Sequence, residues 1–136
     1  MSMRAICNVY AVQTGWAPVA VTSTKTSSAM NFDNAIENMI VVTPGLWTDG
    51  TSFTYSLTYS GTAGGAGTYT AGTAGTDYVG TFTVVSSTAT STTPQKISYI
   101  GPYRYVKIVC TVVGATKGAI SGVQCYTKPR LQNSST

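Results

Sequence analysis

Apolar and polar side chains alternate with a period of two along most of this chain. In "FTYSLTYS" the residues Phe53, Tyr55, Leu57 and Tyr59 fall on one side, and Thr54, Ser56 and Thr58 on the other. That is the signature of a strand with one buried face. "YRYVKIVCTVV" repeats it, with Val106, Ile108, Cys110 and Val112 as the inward face of a core strand and Tyr105, Lys107, Val109 and Thr111 outward. Helical spacing is confined to "NFDNAIENMIVV" (Asn31 to Val42), where interspersed acids and apolar residues support a turn or two.

Strand windows fall near Ala5 to Gln13, Val19 to Thr26, Glu37 to Thr43, Ser52 to Ser60, Asp77 to Val85, Gln95 to Ile100, Tyr103 to Val113 and Ala119 to Thr127. About eight strands predict an all-β protein, a two-sheet antiparallel β-sandwich of jelly-roll or immunoglobulin-like type. "TDG" (Thr48 to Gly50) marks a turn before the fourth window. "GATKG" (Gly114 to Gly118) predicts that the last two strands pair as a hairpin. Two stretches rich in Gly, Ala, Ser and Thr, residues 61–76 and 86–94, have too few large apolar groups to build core and read as surface loops or contact arms, the first also as a weak edge strand. The whole is expected to be a single domain over residues 1–136, with an N-terminal arm at 1–4 and a polar C-terminal tail at 128–136.

Composition changes the picture in one respect. Charged residues are 9% of the 136, against about 25% in an ordinary soluble protein, and hydroxyl side chains take their place. A surface so poor in charge suits a protein packed against other protein. The net charge of +4 comes from eight dispersed cations. With no basic cluster, direct nucleic-acid binding is not expected, and the excess reads as attraction to an acidic partner.

The chain has no histidine, and its four acids, Asp33, Glu37, Asp49 and Asp77, are widely spaced. The commonest general base and metal ligand is thus missing, and no activated-serine or phosphate-loop motif is present. No catalytic residues, metal or cofactor are expected, and the chain is read as no enzyme. Cys7, Cys110 and Cys125 form an odd set without C-x-x-C spacing, which favours buried thiols in a reducing compartment, with a Cys110–Cys125 bridge left open. The N-terminal segment makes a poor signal peptide, and no apolar run is long enough for a membrane helix.

Three segments in order carry a resemblance: "LWTDGTSFTYSLTYS", "AGTDYVGTFT" and "KISYIGPYRYVKIVCTVVGATKGAISGVQCYTKPR". They resemble the small head-decoration, or capsid-cementing, proteins of tailed bacteriophages over roughly residues 20 to 130, most firmly in the last third. The matching positions there are Tyr99, Ile100, Gly101, Arg104, Tyr105, Val106, Lys107, Ile108, Pro129 and Arg130. Between Tyr59 and Asp77 this chain departs from the pattern, with a Gly/Ala/Thr segment where many such proteins carry acids. The resemblance implies a β-sandwich on the exterior of a virion capsid, assembled in the host bacterial cytoplasm. It also implies a dimer or trimer that bridges major capsid protein subunits. Two other readings are a carbohydrate- or receptor-binding sandwich of a phage tail and a tail-tube or connector component. Candidate partner contacts are Arg4, Trp16, Trp47, Tyr69, Lys128, Pro129 and Arg130, from the loops, the chain ends and the large amphipathic rings. Arg104 is expected to cap a sheet edge or to pair with an acid such as Asp77.

Overall fold

A computed structural model describes residues 10–33, 35–62, 69–87 and 93–129. Ten strands are present: β1 (Ala11–Val21), β2 (Lys25–Thr26), β3 (Met30–Asn31), β4 (Ala35–Trp47), β5 (Ser52–Ser60), β6 (Thr70–Ala71), β7 (Tyr78–Gly80), β8 (Gln95–Tyr99), β9 (Tyr105–Val113) and β10 (Ala119–Pro129). They form two antiparallel sheets. The first runs β1-β10-β4-β8-β7 and the second β2-β9-β5-β6, with β3 also on β9.

Taken from the ends inward, the first strand pairs with the last, β2 and β3 pair with β9, β4 with β8 and β5 with β6. The chain is thus one long hairpin wound on itself, and the β10·β4 and β9·β5 ladders complete the sheets. This is the jelly-roll order, with β7 added at the β8 edge. An immunoglobulin-like sandwich pairs its first two strands in one sheet, whereas here β1 and β2 lie in opposite sheets. The same winding corrects the expected β9–β10 hairpin, because the two strands belong to different sheets. Gly114 and Gly118, with φ of +69° and +74°, turn the corner between them. The Asp49 carboxylate holds that corner by accepting the backbone N–H groups of Thr116, Lys117 and Gly118.

Alternation predicted the interior well. Phe53, Tyr55 and Leu57 of β5 and Val106, Ile108 and Cys110 of β9 are buried, with Tyr59 and Val112 packed against them. Ile40, Val42, Val123 and Cys125 face them from the first sheet. Cys110 and Cys125 therefore sit on opposite sheets, and both are free thiols. Cys7 lies outside the described residues.

Three boundaries differ from expectation. β1 joins the end of the first window to the start of the second, crossing Gly15 and Pro18 through two register shifts against β10, while the second window's Lys25–Thr26 is β2 of the other sheet; proline is tolerated in β1 because it is an edge. No turn of helix is found among the described residues of this stretch, where Asn31 Oδ1 accepts the Asp33 N–H in a tight turn and β4 is under way from Ala35. The 77–85 window holds only the three residues of β7, because Gly80 adopts φ +112° and Val85 then crosses to bridge Phe53 in the second sheet.

Candidate functional site

The outer face of the first sheet departs from the usual polar exterior. Val12 stands opposite Tyr126, Tyr126 opposite Met39, and Val79 opposite Ser98. Ser98 follows one step beyond the Ile40–Ile97 pair and so faces Met39. Val12, Tyr126, Met39, Ser98 and Val79 thus make a row across all five strands, about 19 Å long at the usual strand spacing. Val12 is 56% exposed, Val79 57% and Met39 37%. Beside the row, Tyr10, Glu37, Asn38, Met39, Ser98 and Tyr126 line a groove of about 480 Å³.

Polar groups border this strip unequally. On one side Glu37 lies opposite Lys128, with 3.6 Å between the charged atoms, and accepts a hydrogen bond from the Tyr10 hydroxyl. The Glu37 bond and charge raise the Tyr10 hydroxyl pKa above its ordinary value. On the other side Val41 pairs with Lys96, which is exposed. The second sheet's outer face is different in kind. Ser52, Thr54, Ser56 and Thr58 of β5 meet Val113, Thr111, Val109 and Lys107 of β9 there, a surface dominated by hydroxyls.

A second concavity, about 460 Å³, opens at one end of the sandwich between the turn after β3 and the β8–β9 connection. Phe32, Asp33, Tyr99, Tyr103 and Arg104 line it. Arg104 pairs with Asp33 at 3.7 Å, both about half exposed, and lies over the Tyr105 ring. Tyr103 stacks on Tyr59 at 5.2 Å between ring centroids. Asp77 is not the partner of Arg104, since it is buried and accepts the backbone N–H of Thr73.

The predicted contact residues are scattered. Trp16 is a correction: its ring is core, and its indole N–H donates to the Ser121 carbonyl at 2.9 Å. Trp47 is half-buried against the core opposite Ala119, and its indole nitrogen has no hydrogen-bond partner. Tyr69 lies under the Lys107 ammonium at 4.3 Å and is tied to its own chain. Lys128 and Pro129 belong to β10 and not to a tail. Lys128 borders the strip, alone among the five candidates that are described; Arg4 and Arg130 lie outside the described residues.

The strip itself went unseen in the sequence, although "NMIVV" (Asn38 to Val42) carried a signal for it. An unbroken apolar run on a strand means that both faces are apolar, so the outer one awaits a cover. Among the described residues no cluster of three or more His, Cys, Asp or Glu is placed to hold a metal, and no helix is long and apolar enough to cross a membrane. No protein-family model matches the chain, and comparison with curated proteins and with solved structures gives no match.

Proposed function

We propose that this chain is a non-enzymatic structural protein of a tailed-phage virion, which decorates the capsid exterior and stabilises it by bridging major capsid protein subunits. The observation that carries this reading is the row across the outer face of the first sheet, largely apolar and spanning five strands. A jelly roll hosts many functions, so the topology alone assigns none. The surface poor in charge and the resemblance of residues 98–130 to head-decoration proteins support the same role. Protein quantification of purified virions tests it, with tens to hundreds of copies per particle expected and density on the outside of the shell. A handful of copies, or density confined to the tail, overturns it.

One observation favours a second reading, a carbohydrate- or receptor-binding module of the tail. The end cleft combines an exposed aromatic ring, Tyr103, with the Arg104–Asp33 pair, a platform and a hydrogen-bonding pair of the kind that holds polar ring ligands. A glycan screen decides: saturable binding that Tyr103→Ala abolishes supports this role.

A further inference from the structure

We propose that the partner seated on the outer strip is an acidic protein surface, and that Lys96 is the residue that selects it. This rests on reading that face as the contact face. All four carboxylates of the chain are engaged internally. Asp33 pairs with Arg104, Glu37 with Lys128 and Tyr10, Asp49 binds three backbone N–H groups, and Asp77 is buried on the Thr73 N–H.

The lysines are not balanced in the same way. Lys25 lies 5.9 Å from the Trp16 ring and Lys107 lies over Tyr69, while Lys117 sits in the corner that Asp49 holds. Lys96 has neither an ion pair nor a ring beneath it among the described residues, and its side chain is exposed. It stands opposite Val41 on the outer face, two residues along β8 from Ser98, about 7 Å from the row.

A protein docking across the strip therefore meets bare positive charge on one side and a neutralised pair on the other. Such a rim charge sets encounter rate and salt sensitivity, and it rejects like-charged surfaces. A second copy of this chain, itself at net +4, is disfavoured on that ground. One free lysine beside an apolar row is also too little for nucleic acid or an anionic membrane, which demand clustered cations.

The test uses the full-length, isotope-labelled chain and a random copolymer of glutamate and tyrosine as probe, at 50 and 300 mM salt. Saturable amide shifts at Val12, Met39, Val79, Lys96 and Ser98 are expected, with affinity falling several-fold at the higher salt. Lys96→Glu should weaken binding about tenfold at low salt, and Lys96→Ala by less. The Ser56→Glu/Thr111→Glu double variant removes the same net charge from the opposite face and should change little. The inference is overturned by shifts centred elsewhere, by equal losses in Lys96→Glu and the double variant, or by no saturable response. Equal or tighter binding to duplex DNA or phosphatidylglycerol vesicles overturns it as well. Add-back of the chain to undecorated heads is scored separately. Failure there with the copolymer response intact removes the decoration role and leaves the acidic-partner inference standing.

Discussion

Ser121 shows how single residues knit the two sheets. Its hydroxyl accepts from Tyr55 of the second sheet and its carbonyl from Trp16 of the first, both at 2.9 Å and both buried. Tyr55→Phe removes one such bond and is expected to cost about 1 kcal/mol by urea unfolding. Trp16→Ala, which also leaves a cavity, should cost about 3–5 kcal/mol. Burial pushes the Cys110 thiol up to about 11, the Cys125 thiol to about 12 and the Tyr55 hydroxyl to about 12. Each group then holds its proton more tightly folded than unfolded, so stability is full below the thiols' ordinary range and declines as pH rises from about 9 through those values. A urea midpoint that falls between pH 8.5 and 11, with a shallower slope in Cys125→Ala, is the expected result. Asp49 has the opposite sign. The N–H groups of Gly118, Lys117 and Thr116 lower its pKa, so its contribution is present above the ordinary carboxylate range and lost as pH falls through the lowered value. Asp49→Asn should lower the melting temperature at pH 7, by a difference that shrinks as the pH falls through the lowered Asp49 value.

Among the elements, alternation located β5, β9 and β10 because each has one wet and one dry face, and the period-two code reads only that case. It failed where a second influence acted. β4 contains the expected Glu37–Thr43 strand, but its apolar groups on both faces also let the 31–42 stretch imitate a helix segment. β1 was split in two because Gly15 and Pro18 suggest a break, although an edge strand absorbs both as irregularities. The destination of the β9–β10 turn was also illegible, since a five-residue Gly-bounded loop suits a hairpin or a sheet-to-sheet corner equally. Asp49, distant in sequence, decides between them. That corner has no room for a side chain at Gly118, where a Cβ would run into the Val21 carbonyl and φ is positive. Gly118→Ala is therefore expected to cost about 2 kcal/mol or more, measured by chemical denaturation.

At the scale of the whole molecule the two outer faces are unlike, one with an apolar row and one largely of hydroxyls, and only the first has an evident need for cover. Val79→Asp should leave the unfolding free energy within about 0.5 kcal/mol, because the residue is exposed. Under the proposed decoration role, the same change should weaken binding to undecorated heads at least about tenfold, by placing an unpaired charge in a dry contact. Of the site, the sequence disclosed the ingredients and not their assembly: Lys128 was singled out for its place near the chain end, yet it matters as the strand neighbour of Glu37. Cross-strand rows are made by register, which the winding of the hairpin sets and local patterning does not encode.

The pairing of β1 with β10 also governs how the domain bears load. Ala11 faces Thr127, so the described backbone enters and leaves at one corner of the first sheet. Tension between those two points would open the β1·β10 ladder one rung at a time, as a zipper opens, with few hydrogen bonds resisting at any moment. Shear directed along the strands would instead load all the rungs of a ladder at once. The domain is expected to be mechanically anisotropic: weak when drawn from its two chain ends, and stiffer when sheared along the strands of the face that carries the row.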